Sequence, residues 1–336
     1  MKNILVTGGL GFIGSHTVVE LHSRGYNPII VDNLSNSQED VLGRLKKISG
    51  LIIPFVKVDL VDFQSSKEVF ENYSIDGIIH FAAYKAVGES VAKPLAYYEN
   101  NLVSLINLLK LSNEFGVSNF IFSSSCTVYG EPEKLPVDES FPKKQAESPY
   151  GNTKQVCEEI IEDYCISNSS FKAISLRYFN PAGAHDSAII GELPLGVPNN
   201  LVPFITQTAA GIREKLNVFG GDYNTHDGTC IRDYIHVVDL ARAHIAALEH
   251  SKGMPENYDF FNAGTGKGYS VLEVIKSFEK VSGVKLNYEI VDRREGDIEK
   301  IFADTTKVND VLGWTAEKNI DDMMQSAWNW QKSLPK

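Results

Sequence analysis

The chain has 336 residues, 43% of them hydrophobic, and a formal net charge of −11. That length and composition suit a globular protein built as one large domain or two moderate ones. The acidic balance speaks against a nucleic-acid partner, which would call for a basic face.

No apolar run reaches the roughly 18–20 residues needed to cross a bilayer, so no membrane association is expected. The opening "MKNILVTGG" lacks the regions of a signal peptide. Cys126, Cys157, Cys165 and Cys230 are scattered without C-x-x-C spacing, which fits reduced thiols in a cytoplasmic protein.

In chain order, "NILVTG" reads as a buried strand, and "SHTVVELHSRG" behind it as a helix. Between them Gly8, Gly11 and Gly14 are spaced G-x-x-G-x-x-G, and Gly9, Gly11 and Gly14 also satisfy G-x-G-x-x-G. Glycines there allow a tight turn and let a pyrophosphate approach the helix N-terminus. A plain strand–helix turn is the competing explanation, but the strand-before, helix-after context favours a dinucleotide. The second strand, "NPIIVDN", ends in Asp32, where an acid should meet the adenosine ribose. A carboxylate there repels the extra phosphate of NADP, so the expected cofactor is NAD. The third strand, "IPFVKVDL", ends near Asp59, which either reaches the adenine or simply turns the chain.

"IDGIIHFAA" reads as the fourth strand, "PLAYYENNLVSLINLLKLSNEFG" as one helical stretch, and "SNFIFSSS" as the fifth strand, ending in Ser123–Ser125. "SPYGNTK" then opens a helix that continues through "QVCEEIIEDY". Its Tyr150 and Lys154 are one turn apart, which in isolation is an ordinary surface pair. Doubly wound sheets, however, bind ligands at the carboxyl ends of their strands. The serine, tyrosine and lysine can therefore converge where a nicotinamide would lie. "FKAISLRYFN" reads as the sixth strand.

Strand–helix alternation predicts an α/β fold with a doubly wound parallel, Rossmann-type sheet. After about Asn180 the rhythm gives way to Gly-, Pro- and Asn-rich stretches. The expected division is an NAD-binding domain over 1–180 and a smaller α/β substrate-binding domain over 181–336, with segments around 230–265 returning to the first. Asn199 and Asn200 precede a predicted helix, "LVPFITQTAAG", whose first amides could meet a phosphate. His80, His185 and His236 lack metal-ligand spacing, and no metal is expected.

TGxxGxxG, a strand-end serine and Y-x-x-x-K together resemble the extended short-chain dehydrogenase/reductase family. "HFAAYKAVGES", "FSSSCTVYG", "LRYFNPAGAH", "GVPNNLVPFI", "DGTCIRDYIHVVDLA" and "RREGD" resemble its 4-epimerases of UDP-sugars. These motifs run from Thr7 to Asp297. The chain departs from the family at Ala83-Tyr84, where Gly-Leu is common, and at Cys126, where Ala is usual.

The resemblance implies inversion at C4 of a UDP-sugar, interconverting UDP-glucose and UDP-galactose through a transient 4-keto sugar with bound NAD as reversible hydride acceptor. Tyr150 would be the base, its pKa lowered by the ammonium of Lys154 and by the nicotinamide. Lys154 would also hold the nicotinamide ribose, and Ser125 would bond the sugar hydroxyl. On the cofactor side it implies Phe12, Ile13, Asn33, Asn36, Ser37 and Leu60 beside the glycines and acids. It adds Phe81, Ala82, Ala83, Lys85, Asn100 and Phe179 towards the nicotinamide. On the substrate side it implies Lys85, Ser125, Thr127, Tyr150, Tyr178, Asn180, Asn199, Asn200 and Leu201. Val218, Phe219, Arg232, Arg294 and Asp297 would take the nucleotide end; the two arginines could instead form salt bridges to Asp233 and Asp297. Ile301 would wall the sugar pocket near C2. A homodimer would form through helices near 95–115 and 150–168, the first carrying Leu102, Leu105, Ile106 and Leu109.

Alternatives within the family are a UDP-N-acetylglucosamine 4-epimerase and a sugar 4,6-dehydratase. The dehydratase would need an Asp-Glu pair after the strand-end residue, where this chain has Cys126 and Thr127. A non-catalytic NAD-binding regulator would have no use for the Tyr–Lys pair.

Overall fold

The computed structural model describes residues 1–294 and 296–335. In chain order its strands are β1 (Asn3–Thr7), β2 (Asn27–Asp32), β3 (Phe55–Lys57), β4 (Gly77–His80), β5 (Asn119–Ser125), β6 (Lys172–Tyr178), β7 (Asn180–Ala182), β8 (Leu216–Phe219), β9 (Ile231–His236), β10 (Tyr258–Ala263), β11 (Gly268–Ser270), β12 (Tyr288–Val291) and β13 (Lys300–Ile301). Seven of them form one parallel sheet in the order β10-β6-β5-β4-β1-β2-β3. The chain winds one way from β1 to β3 and the other way from β4 onwards. The reversal lies between β1 and β4, and such a switch point opens a crevice at the strands' carboxyl ends.

The apolar runs behave as buried strands do. Ile4, Leu5, Val6, Ile78, Ile79, Phe120 and Ile121 are all almost fully buried. Their side chains alternate between two cores. Ile4, Val6, Ile79 and Ile121 pack with helices Phe12–Ser23 and Val237–His250; Leu5, Ile78 and Phe120 pack with helices Ser104–Phe115 and Pro149–Ser167. Successive strand residues point to opposite faces, so a sheet covered on both sides needs both parities apolar.

"FKAISLRYFN" is divided between two sheets. β6 pairs with β5, whereas β7 leaves to pair with β9 in a small sheet that also holds β11 and β13. β8 and β12 form a further parallel pair. The predicted "IPFVKVDL" strand shrinks to three residues at the sheet edge, where only β2 is available as a partner. The long stretch from Pro94 also breaks up. A helix over Pro94–Tyr98 passes through a π-helical turn, Glu99–Val103, into the helix Ser104–Phe115. Such π-turns are frequent at functional sites; this one carries Asn100 and Asn101.

Asp233 on β9 does not pair with Arg232. Its buried carboxylate accepts from the amides of Thr265 (2.9 Å), Gly266 (3.0 Å) and Ala303 (3.2 Å) and from the Thr265 hydroxyl (2.6 Å). One side chain thus ties β9, the turn after β10 and the segment after β13 together. Burial raises its pKa, and these donors oppose the rise.

Candidate active site

A cavity of about 710 Å³ lies at the switch point. Its floor is the turn after β1. Gly8 has φ +66°, and a Cβ on it would fall 2.9 Å from the Ala82 nitrogen; one on Gly14 would fall 2.3 Å from the Gly8 carbonyl oxygen. Both positions therefore require glycine. The helix Phe12–Ser23 starts behind this turn with no side-chain cap on its first amides. A bare loop backbone leading to uncapped amides fits a pyrophosphate. At the end of β2, Asp32 Oδ2 accepts from the Leu10 amide (3.1 Å), and Oδ1 accepts from the Leu34 amide (2.9 Å) and Ser37 Oγ (2.8 Å). Oδ2, with one donor, keeps acceptor capacity for a ribose hydroxyl. Asp59 accepts from Asn33 Nδ2 (3.3 Å).

Every cofactor-side residue of the sequence reading lines this cavity except Ser125 and Phe179. Tyr150, Lys154, Tyr178, Asn199 and Asn200 line it too. Asn101, unmarked in the sequence, shapes one wall. Its Oδ1 accepts from the Tyr84 amide (2.8 Å), and its Nδ2 donates to the Tyr84 carbonyl (3.1 Å) and Thr153 Oγ1 (3.0 Å). It thereby fixes the segment after β4 against the helix that carries Tyr150.

That helix begins at Ser148, whose hydroxyl accepts from the Gly151 amide at 3.2 Å, with Pro149 in the first turn. Lys154 is 4% exposed and donates to the Ser123 carbonyl (2.5 Å) and hydroxyl (3.3 Å) at the end of β5. Ser125 Oγ accepts from the Thr127 amide (3.2 Å) and hydroxyl (3.0 Å). With two donors already on the oxygen, its own proton is left to point at the Tyr150 phenol, and a donor there favours phenolate.

The expected lowering of the Tyr150 pKa by Lys154 is not found in the protein's own groups. Burial pushes the phenol up to about 12, and Ser125 pulls only partly against it. The ammonium lies 6.0 Å from the centre of the tyrosine ring and is committed to Ser123. Lys154 is not a permanent cation either, since burial lowers it to about 8.

The residues assigned to the nucleotide end lie outside that cavity lining, on the small sheet and its neighbours. Arg294 bonds Asp297 (2.7 Å) and has its guanidinium 5.4 Å from the Phe219 ring centre. Arg232 Nη2 is 4.0 Å from the same Asp297. Phe219 is 39% exposed and Val218 is buried. Arg232 also reaches towards the turn after Ser125, where it acts on the Cys126 thiol. Ile301 stands beside Arg232 in the β9–β13 pairing and is buried with Tyr129 and Phe179. Asn180 starts β7 opposite Tyr234, and Leu201 opens the helix Leu201–Ala209. His80 and His236 are buried and held neutral, each lowered to about 3 by burial. His244, also unmarked in the sequence, bonds the Tyr178 hydroxyl through Nε2 and the Leu240 carbonyl through Nδ1 (2.8 Å). Among the described residues no metal-like cluster of His, Cys, Asp or Glu occurs.

The family model for GDP-mannose 4,6-dehydratase matches residues 5–327. The chain is 50% identical to a UDP-glucose 4-epimerase of Drosophila melanogaster over 339 aligned positions, covering 99% of this chain and 97% of the relative. It is 50% identical to one of Bacillus subtilis (strain 168), covering 98% and 97%. A crystal structure of UDP-glucose 4-epimerase from Bifidobacterium longum in complex with NAD+ and UDP superposes with a TM-score of 0.95 at 47% identity, covering 98% of each chain.

The buried lysine should be visible in stability. Its folded pKa, about 8, lies below the ordinary 10.5. The cost of holding it charged is therefore fully present below pH 8 and is relieved as the pH rises to about 10.5. One pKa unit corresponds to about 1.4 kcal/mol. Lys154→Met should raise the urea midpoint at pH 7, and the gain should shrink by pH 10. A gain that is absent at pH 7, or that grows with pH, contradicts this.

Proposed function

The chain belongs to the UDP-glucose 4-epimerase family, and we propose that it interconverts UDP-glucose and UDP-galactose by oxidation at C4 and re-reduction from the opposite face. An unactivated C–H centre cannot be inverted by a base alone. The site therefore needs a hydride acceptor, a base for the hydroxyl proton, and a closed pocket. The observation that carries the proposal is the meeting of Tyr150 and Lys154 in the crevice whose floor is Gly8–Gly14, with Ser125 bonded to the Tyr150 phenol.

NAD, when bound, supplies the hydride acceptor and a positive ring that favours the phenolate. Tyr150 takes the C4 hydroxyl proton and later returns it. Ser125 orients that proton by donating to the phenol. Lys154 is held by Ser123 towards the ribose. The glycine turn takes the pyrophosphate and Asp32 the adenosine ribose. Arg232 and Arg294 supply the positive charge that a diphosphate needs on a chain of net charge −11, and the exposed Phe219 ring offers a face for the base. A dehydratase would need a carboxylate beside Ser125, where Cys126 and Thr127 stand.

We also propose a homodimer. A groove between helices Ser104–Phe115 and Pro149–Ser167 is lined by Ile106, Leu109, Ile160 and Tyr164. Leu95 and Ile166, near it in sequence, are 80% and 78% exposed. Leu105, expected in the contact, is instead fully buried against the sheet, and Leu109 is 4% exposed. The helix thus has two apolar faces, with Leu102 and Ile106 left partly open for a second copy. Four free cysteines, and no helix among the described residues long and apolar enough to cross a membrane, support a cytoplasmic location.

Purified protein should convert UDP-galactose to UDP-glucose without net accumulation of reduced nicotinamide. Tyr150→Phe should lose about 10²–10⁴-fold in rate and keep its NAD; near-normal turnover would show that another group carries the proton.

The second test concerns the sugar. Ile301 is smaller than tyrosine but stiff at χ1, and it offers an acetamide no hydrogen bond. N-acetylated UDP-sugars should be turned over about 10–200-fold less efficiently than UDP-glucose. Ile301→Tyr should suppress that activity and Ile301→Ser raise it, measured as kcat/KM. An unresponsive ratio would remove residue 301 from the gate.

Light scattering at micromolar concentration should give twice the chain mass; a monomer refutes the dimer.

A further inference from the structure

Glu192 is a carboxylate in the wall of a cavity that takes two anionic nucleotides, on a chain already carrying −11. Its side chain is 12% exposed. Such a charge opposes the ligand unless it does something the ligand needs.

Its backbone is firmly placed. A Cβ on the preceding Gly191 would fall 2.5 Å from the Trp330 indole, so the chain lies flat on that ring. Trp330 Nε1 donates to the Glu192 carbonyl at 2.9 Å. Arg44 stacks 5.0 Å over the indole and donates to the Ile189 carbonyl at 3.3 Å.

The side chain has two partners, both in the cavity wall. Asn200 Nδ2 donates to Oε1 at 2.6 Å, and Lys85 Nζ lies 3.9 Å from the same oxygen. Asn200 occupies the N-cap position of the helix Leu201–Ala209 with extended dihedrals, yet makes no side-chain cap bond. Asparagine there ordinarily caps its own helix. Here its amide is drawn to Glu192 instead. Lys85 follows β4 on the NAD-binding side, while Glu192 and Asn200 belong to the opposite side, so the three residues span the cleft.

We propose that Glu192 is a positioning residue, holding Asn200 away from its own helix and Lys85 across the cleft so that both face the nucleotide sugar. The inference rests on the epimerase function proposed above. Glu192 touches no reacting atom. Its loss should therefore weaken binding rather than slow the chemical step.

The test compares Glu192→Ala, Glu192→Gln, Asn200→Ala and the double variant Glu192→Ala/Asn200→Ala. Each is measured for kcat and KM with UDP-galactose, for UDP affinity by calorimetry, and for thermal unfolding. Losing a hydrogen bond to a charged group should raise KM and the UDP Kd about tenfold in Glu192→Ala, with kcat nearly unchanged. Gln still accepts from Asn200 and should restore most of the affinity. The double variant should be no weaker than the weaker single, because both remove one interaction. Unmodified affinity in Glu192→Ala, or a fall in kcat at constant KM, overturns the inference. If Glu192→Ala does not fold, Asn200→Ala must show the tenfold loss while Glu192→Gln keeps the affinity; failure of either also overturns it. Unmodified protein that leaves UDP-galactose unchanged and binds no UDP would overturn the epimerase function and this inference together.

Discussion

Glu158 and Arg177 form an ion pair with no access to water, and the reacting corner of the molecule is built around it. Arg177 grips the carboxylate with Nε at 2.9 Å and Nη2 at 2.7 Å, and both side chains are essentially unexposed. Burial alone would push the Glu158 carboxyl up, but Arg177, together with Lys143 and Ser124, outweighs it and holds the pKa below the ordinary value. The remaining valences reach outward. Ser124 donates to Glu158 at 2.6 Å, and Lys143 lies 3.2 Å away. Arg177 also donates to the Tyr129 hydroxyl at 2.9 Å, and Tyr129 donates to Asn262 at 2.7 Å. The pair therefore ties the end of β5, the helix of Tyr150, β6, the turn after Ser125 and β10 into one unit. Removing one member of such a pair costs about 3–5 kcal/mol, because the other charge is left buried and alone.

That rigidity explains how the site can hold groups in unfavourable ionisation states. Lys154 sits one turn before Glu158 on the same helix, and Ser123–Ser125 sit on the strand that Glu158 bonds. Tyr150 is half-buried at the cavity wall, and Lys154, 4% exposed, cannot relax towards water. Burial raises one to about 12 and lowers the other to about 8, so both are driven towards neutrality. The protein by itself thus keeps the base protonated. A positive charge beside the phenol, as a bound nicotinamide would supply, favours the phenolate.

What could be read from the sequence was local. Gly8, Gly11 and Gly14 have a fixed spacing because the turn and the helix packing are made by neighbours in the chain. Tyr150 and Lys154 are one turn apart on one helix. The doubly wound sheet was legible because both of its faces are covered and its strands are continuously apolar. What was not legible depends on residues far apart in sequence. Asn101 joins Tyr84 to Thr153, His244 meets Tyr178, and Glu192 meets Lys85; none of these pairs has a spacing that marks it. The π-turn at Glu99–Val103 is invisible for a related reason, since its backbone differs from an ordinary helix while its residues do not. The part of Lys154 in ionising Tyr150 was misjudged, because proximity in sequence says nothing about burial, which is the largest influence on the phenol.

The two halves of the molecule are not simply joined end to end. β9 belongs to the small sheet, the helix Val237–His250 that follows it packs on the large sheet beside Phe12–Ser23, and β10 then pairs with β6. Arg232 and Asp233 lie at the start of this excursion and Asn262 near its end. Arg232 and the residue that bonds Tyr129 are therefore connected through one continuous strand–helix–strand unit. Asp239 strengthens the link: its carboxylate accepts from the Glu317 amide (3.1 Å) and the Lys318 amide (2.8 Å), and its carbonyl accepts from Trp314 Nε1 (3.1 Å). A chain that crosses from the small sheet to the large one and returns ties the two sheets together through covalent connections and through the pairing of β10 with β6.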